Sequence, residues 1–268
     1  MKINHQMNDY GYNEGIEFYG LVPKVMEATS IKTIGENELE VIDFQETAWG
    51  NAVDPEPEPE PGQHEYVDLG LPSKTLWAKH NIQDADGNEL YFAWGETSGY
   101  TSGQVGTDKY FSWTGDSADY KYGIFDFEAD PNYGMTKYNS ADGKTELVSE
   151  DDAATANWGS DWKMPTKEQF DELISSANTT SAFTEQNGVS GLLLTSKANN
   201  NTLFFPAVGR VADGEVGNVG DYGYYWSVSL YDDDVYFAWL LYFLGENCVV
   251  DYLYRCFGYS VRPVRSNN

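Results

Sequence analysis

The sequence is poor in basic residues, and this shortage excludes a class of partner. Its 268 residues include 16 Lys and Arg against 43 Asp and Glu, which gives a formal net charge of −27. Binding to a phosphate backbone requires clustered Lys and Arg. We therefore expect no nucleic acid partner, and we interpret the acidity as a solubilising, self-repelling surface.

Histidine and cysteine are equally scarce. Three histidines lie in the first third of the chain, and the two cysteines, Cys248 and Cys256, lie near its end without a CxxC motif. A zinc site would have to combine ligands from unrelated regions, so we predict no metal site and no cofactor. We predict two free, partly buried thiols, with a disulfide between them as the alternative.

Calcium-like acidic runs are present but incomplete. Residues 84–88 read DADGN and residues 232–234 read DDD. The first run lacks the spaced ligands and the terminal Glu of a calcium-binding loop, so it predicts a turn. The second run predicts a solvated loop.

Long apolar runs are also lacking. No stretch approaches the ~18 residues that a membrane-spanning helix needs, so we expect no membrane span. The N-terminal segment reads MKINHQMNDYGYNEG and lacks the charged-then-apolar pattern of a signal peptide. We therefore expect either that the chain is not secreted by that route or that a leader has been removed.

A run of alternating Pro and Glu divides the chain. Residues 54–62 read DPEPEPEPG, which is typical of a semi-rigid extended spacer. Before it, residues 1–53 predict a small β-rich module with strands at 16–22 and 39–44 and a turn at 35–37. Such a short module builds a weak core alone, so we expect it to serve attachment or oligomerisation, including a homotrimer.

After the spacer, residues 63–268 predict one α+β domain. Helices are predicted near 151–156 and over 167–177, where Thr166 and Gln169 have the spacing of a capping box. Residues 98–145 and the glycine-rich segment 209–223 predict long loops. Strands are predicted at 65–73, 75–78, 90–95, 191–196, 202–206, 224–229, 236–243 and 259–264.

The segment 224–265 has an unusual composition. A regular-looking frame is interrupted by positions that contain only Tyr, Asp, Phe, Leu, Val and Cys, whereas surface strands ordinarily use Lys, Thr and Glu. The restricted composition of these positions requires a cause. They are Tyr231, Asp232, Asp234, Tyr236, Phe237, Leu240, Tyr242, Leu244, Cys248, Val250, Asp251, Tyr252, Leu253, Tyr254, Cys256, Phe257 and Tyr259.

The alternation within this segment suggests which side chains face outward. Leu240, Tyr242 and Leu244 alternate with an equally apolar set at 241 and 243. Because successive side chains of a strand point to opposite faces, we expect one apolar set to be exposed as an interaction site. We expect Trp226 and Trp239 to be core residues, and Arg262 and Arg265 to stabilise the fold.

Four separated blocks carry a family resemblance. They read YVDLGLPS with LWA (66–78), YFAWGET (91–97), DDAA through NWGSDWKMPT (151–166) and SVRPV (260–264). Residues 65–265 thereby resemble the Fibrobacter major paralogous domain family, which is similar to the formylglycine-generating-enzyme subclass of the C-type lectin fold. The resemblance implies a C-type-lectin-like domain with two helices, short strands and long irregular loops.

Within that family, residues 224–265 resemble the variable region of a target protein of a diversity-generating retroelement. In such systems, errors at template adenines convert asparagine codons into others. With a pyrimidine at the third base, the accessible set includes Tyr, Asp, Phe, Leu, Val and Cys and excludes Lys, Glu, Gln, Met and Trp. The resemblance therefore implies a hypervariable ligand-binding surface, and its tyrosines suit binding because they bury a large area at little cost in side-chain entropy.

Three hypotheses follow. The first is a receptor-binding protein whose ligand is a protein or glycan on a bacterial surface. It would belong to a phage tail, as the N-terminus favours, with residues 1–53 attached to the virion, or it would be an extracellular cell-surface adhesin of a gut anaerobe. The second is a structural assembly protein without ligand binding. The third is an oxidase like the formylglycine-generating enzymes, whose cysteine pair binds copper. We expect no enzyme, because Cys248 and Cys256 both occupy candidate variable positions.

Overall fold

The computed structural model describes residues 64–113, 117–123 and 134–266, and the backbone of four strands within the first 46 residues. Contacts divide the chain into two units, Met1–Glu58 and Pro59–Asn268. The predicted spacer at 54–62 lies outside the described residues. The proposed division into module, spacer and binding domain therefore stays a prediction.

Two antiparallel strand pairs are described in the first unit. Strands β1 (Ile3–Asn4) and β2 (Glu17–Phe18) form one pair, and β3 (Met26–Thr33) and β4 (Leu39–Glu46) form the other. The strand predicted at 39–44 is thus found as β4, and the one predicted at 16–22 is described only as β2. Strand β3 was not predicted, and the predicted turn at 35–37 lies outside the described residues.

The second unit contains both helices and strands, and most of its regular structure is β-sheet. The elements in chain order are β5 (Tyr66–Asp68), β6 (Thr75–Ala78), α1 (Ala153–Trp158), α2 (Lys167–Ile174), β7 (Thr179–Gln186), β8 (Val189–Ser196), β9 (Thr202–Pro206), β10 (Arg210–Ala212), β11 (Glu215–Gly217), β12 (Tyr222–Leu230), β13 (Phe237–Leu244), β14 (Asn247–Tyr254) and β15 (Val264–Ser266). The strands form antiparallel sheets in the orders β15-β6-β5, β7-β8-β9, β10-β11 and β12-β13-β14. Among the described residues, no helix combines the length and the apolar character needed to cross a membrane.

Both predicted helices are present and are capped by their own sequence. Helix α1 begins after Asp152, whose carboxylate accepts hydrogen bonds from the backbone N–H groups of Ala154 and Thr155. Helix α2 begins after Thr166, and both reciprocal bonds of the capping box with Gln169 are formed. Helix α2 ends at Ile174, three residues before the predicted end at 177.

Some strand predictions were correct and others were wrong. The strand predicted at 65–73 is limited to β5, and of the strand predicted at 259–264 only Val264 lies in a strand, at the start of β15. The hairpin of β8 and β9 is confirmed, but its polar third strand β7 was not predicted. Residues 90–95 form no strand, since Tyr91 and Phe92 make only isolated bridges. The segment 209–223, predicted as a loop, contains the β10–β11 hairpin.

The sheet β12-β13-β14 separates two hydrophobic cores. The first core contains Trp94, Trp226 and Leu240, and the second contains Trp77, Phe170, Leu241 and Phe243. Leu240 and Leu241, adjacent on β13, are both fully buried on opposite faces. The prediction that one apolar set of this strand is exposed was therefore wrong for most of the strand, because each face of β13 has a core of its own; of the predicted set, only Leu244 is exposed.

A buried ion pair holds part of the long segment 98–145, in which the structure describes no helix or β-ladder strand among the residues it covers. Lys109 Nζ lies 2.9 Å from a carboxylate oxygen of Glu96, and both side chains are almost fully buried. The ammonium also donates to the backbone carbonyl of Asp119 at 2.7 Å. Described residues of this segment, among them Phe111, Tyr120 and Tyr138, thus belong to the first core.

Asp151 fixes the same segment to the start of α1. Its carboxylate accepts hydrogen bonds from Lys121, Lys137 and the hydroxyl of Tyr138. Desolvation by burial raises the pKa of this carboxyl, but the hydrogen bonds from Lys137, its neighbouring tyrosines and Lys121 outweigh it and lower the pKa to about 2.

Candidate binding surface

The candidate surface is built on the hairpin of β13 and β14. A two-residue turn, Gly245–Glu246, joins the strands, and Leu244 and Asn247 form the closing pair. Gly245 has φ 58°, which suits the first position of a type II′ turn, a turn whose twist matches that of a hairpin. Strand β14 was not predicted, and it lies at the edge of its sheet.

An aromatic cluster lies at the end of this hairpin away from the turn. We define it as Tyr231, Phe237, Trp239, Tyr252 and Tyr254. The rings of Tyr231 and Tyr252 stack with centroids 3.8 Å apart. The ring centroids of Phe237 and Tyr254 are 4.5 Å apart. Trp239 meets Tyr231 edge-on at 5.2 Å. Such ring contacts each favour the observed arrangement of the side chains.

The aromatic cluster is open to solvent. Tyr252 is 37% exposed and Tyr254 is 45% exposed. Trp239, predicted as a core residue, is only half-buried. The Lys167 ammonium lies 4.8 Å from the centre of the Trp239 ring, a cation–π contact.

An acidic loop, which we define as residues 232–234, borders the aromatic cluster. Asp234 shapes the loop by accepting the backbone N–H of Tyr236 at 3.0 Å, and Asp233 accepts the Tyr231 hydroxyl at 3.3 Å. The hydrogen bond with Tyr252, together with desolvation and the nearby Asp233, raises the pKa of Tyr231 to about 12. Asp232 and Asp233 are exposed.

Three candidate residues lie inside the protein and are removed from the predicted surface. Leu240, Cys256 and Tyr259 are at most 1% exposed and belong to the first core. The ring of Tyr259 packs at a tilt against that of Trp226, with centroids 4.4 Å apart. A ligand could reach these side chains only if the core opened, so their placement corrects the sequence interpretation.

The remaining candidates divide between the two faces of the sheet. Tyr236, Tyr242, Leu253 and Phe257 are half-buried against the first core, and Leu244 and Asp251 are exposed on that same face of the hairpin. Cys248 and Val250 are half-buried against the second core. The exposed members therefore do not form one continuous patch, and the aromatic cluster with the acidic loop is their largest grouping.

Both cysteines are free thiols, as the sequence predicted. Cys248 packs against the second core and Cys256 lies in the first, so the sheet separates them. Burial raises the pKa of each thiol to about 12. Neither is activated as a nucleophile, because the thiolate is the reactive form.

Arg255 anchors the end of β14, and it was not among the residues predicted from the sequence. It is fully buried at the end of β14. Its guanidinium donates to the hydroxyl of Tyr120 and to the backbone carbonyls of Lys137, Tyr138 and Val235. It also lies 4.6 Å from the centre of the Trp94 ring. One signal could have identified it: it is the only Lys or Arg between residues 224 and 261.

The expectations that Trp226 is a core residue and that Arg262 and Arg265 stabilise the fold agree with the structure. Trp226 is fully buried, and its indole N–H donates to the carbonyl of Phe92 at 2.8 Å. Arg262 is also buried, and its guanidinium donates to Asn81 and to the carbonyls of residues 78, 79 and 204. Arg265 is half-buried beside the rings of Tyr66 and Trp162.

Metal-binding groups are not assembled at this surface. Within the ranges that the structure describes, no group of three or more His, Cys, Asp and Glu side chains is placed to hold a metal ion. The carboxylate of Asp84 instead accepts the backbone N–H groups of Asp86 and Asn88, so residues 84–88 form the predicted turn.

Comparison of the chain with profiles of known protein families, with characterised protein sequences and with solved structures gave no match.

Proposed function

We propose that the chain is a ligand-binding protein and that the aromatic cluster with its acidic loop is the binding site. One observation carries the proposal: five aromatic rings contact one another, one pair stacked and the others edge-on or tilted, at an open surface instead of in a core. Clustered exposed apolar side chains usually mark an interaction site. Rigid aromatic side chains also lose little entropy when a ligand binds.

The support beneath the cluster favours the same conclusion. Strand β13 is held from both sides by separate cores, and the end of β14 is anchored by the buried Arg255. Side chains at the open end of this hairpin can therefore be exchanged without removing core contacts. A stable frame with replaceable contacts is what a diversified binding protein requires.

The finer proposal is a C-type-lectin-like target protein of a diversity-generating retroelement. The family resemblance and the restricted composition of residues 224–265 support it. The protein would act as the receptor-binding protein of a phage tail or as an adhesin on a bacterial surface, with residues 1–53 as its attachment module. Its ligand would be a protein or glycan on a bacterial surface.

Removing two tyrosine rings should abolish binding while preserving the fold. We expect Tyr252→Ala with Tyr254→Ala to weaken binding to the best-bound member of a panel of bacterial surfaces by about tenfold or more, the usual effect of losing aromatic hot spots. The matched control is Val189→Ala, an exposed apolar side chain outside the cluster. Binding is measured by surface retention and the fold by thermal unfolding. A double variant that retains its binding contradicts the assignment of the site.

The gene should carry the trace of diversification. We expect a near-repeat of the DNA encoding residues 224–265 close to a reverse transcriptase gene, with mismatches confined to adenines of the repeat. Sequencing of the genomic neighbourhood tests this. A neighbourhood without such a repeat refutes the retroelement but leaves the binding site to be judged by the tyrosine variants.

A further inference from the structure

The outer edge of β14 is unpaired. Strand β14 is last in the order β12-β13-β14, and no strand that the structure describes pairs with its other side. The backbone N–H of Arg255 donates to the carbonyl of Tyr236 at 3.0 Å, which sets the alternation of the ladder. From that pair backward, residues 253, 251, 249 and 247 point their backbone groups toward β13. The groups of Cys248, Val250, Tyr252 and Tyr254 therefore point outward.

The same four residues place their side chains on the face of the aromatic cluster. Tyr252 and Tyr254 are members of the cluster, while Cys248 and Val250 pack toward the second core on that face. An extended segment that paired with this edge would continue the alternation. Every second side chain of the segment would then lie beside the rings of Tyr252 and Tyr254.

One side chain protects this edge. The carboxylate of Asp251 accepts the outward N–H of Tyr252 at 2.8 Å. Natural edge strands usually avoid unwanted pairing through Lys, Pro or bulges, but β14 contains neither Lys nor Pro. Strand β7, an edge strand of the sheet β7-β8-β9, reads TTSAFTEQ and is polar, so it offers no comparable apolar contacts. The protection of β14 by one carboxylate can be reversed by a competing cation.

The charges beside the edge select the partner. Residues 224–254 contain no Lys or Arg but carry Asp232, Asp233, Asp234, Glu246 and Asp251. Lys167, the cation beside Trp239, also pairs with Asp171 at 2.6 Å. A second copy of this chain would bring acidic groups against acidic groups. The acidic side chains beside the edge therefore favour a basic partner over a second copy of this chain.

We propose that the edge of β14 binds an extended, basic segment of a protein partner as an additional strand. This proposal rests on the proposed function, in which the aromatic cluster is the binding site. Lys or Arg side chains of the segment attract the Asp251 carboxylate away from the Tyr252 N–H, which then donates to a carbonyl of the segment. Other cationic side chains, one residue away and so on the opposite face of the segment, lie over the rings of Tyr252 and Tyr254 as cation–π contacts; because these rings are two residues apart on β14, such cations are spaced i and i+2. Main-chain pairing supplies affinity, and the alternate side chains supply specificity.

A selection on the full chain tests this inference. Ten-residue peptides randomised at all positions are displayed and selected on the immobilised protein, and the Tyr252→Ala, Tyr254→Ala variant is used for counter-selection. We expect the enriched peptides to carry Lys or Arg at positions i and i+2. The best peptide is then synthesised in two forms, N-methylated on alternate residues in one register or the other. We expect one form to bind at least about tenfold more weakly, because its donors toward β14 are lost, and the other to bind normally.

The outcomes separate the two proposals. Enrichment without the i, i+2 spacing, or equal binding by both methylated forms, overturns strand addition. So does a selection that enriches no peptide while a glycan array gives ligands sensitive to the tyrosine variant, and this result leaves the binding site intact. Peptides and glycans that bind the protein and the tyrosine variant equally would overturn the binding site itself.

Discussion

Replacing Arg255 by alanine is expected to lower the free energy of unfolding by about 3–5 kcal/mol, because several buried acceptors lose their donor and a cavity is left. The guanidinium is fully buried and satisfies three backbone carbonyls and one hydroxyl. Its removal leaves those carbonyls without their donor beside a cavity next to Trp94. Because Arg255 follows β14 directly, we also expect ligand binding to be lost.

Urea denaturation followed by tryptophan fluorescence measures this effect. Arg255→Lys should recover little of the stability, because an ammonium cannot reproduce the planar set of donors. The control is Lys79→Ala, whose exposed ammonium lies 3.4 Å from Glu65 and whose loss should change stability by at most about 0.5 kcal/mol. An alanine variant as stable as this control would show that Arg255 does not anchor the strand.

Replacing Lys109 by methionine is the second large expected effect, again about 3–5 kcal/mol. The substitution keeps much of the side-chain volume but leaves the Glu96 carboxylate buried without its partner, which lies 2.9 Å away in the native protein. Glu96 would keep one hydrogen bond, from the backbone N–H of Lys121 at 2.8 Å. That single bond does not compensate for a buried charge.

A double variant identifies the cause. Combining Lys109→Met with Glu96→Gln removes the unpaired charge, since the amide oxygen can still accept the Lys121 N–H. We expect the double variant to be clearly more stable than Lys109→Met alone when both are measured by urea denaturation. If both variants unfold at the same urea concentration, lost packing rather than the stranded carboxylate explains the effect.

Local signals in the sequence were sufficient for some elements. The capping box of Thr166 and Gln169 predicted the start of α2 because its hydrogen bonds involve only neighbouring residues. The β8–β9 hairpin was predicted because two apolar runs flank an asparagine-rich turn. Strands β7 and β14 were missed because their stability comes from pairing with β8 and β13, which the composition of one strand does not reveal.

The candidate surface was predicted only in part for a related reason. The sequence singled out Tyr231, Tyr252 and Tyr254, which do meet at an open surface. It also singled out Leu240 and Tyr259, which are buried. The error arose because a strand between two cores has the same alternation as a strand with one exposed apolar face. Which face is covered depends on α2 and on the segment 98–145, both distant in sequence.

The position of β13 between two cores has a consequence for protein engineering. A library randomised at every candidate position would mix two kinds of change, since polar residues at 240, 256 or 259 would enter a core. Most members of such a library would fail to fold before they could be selected. A library restricted to residues 231, 232, 252 and 254 samples fewer sequences, but a far larger share of them would be folded molecules that differ in what they bind.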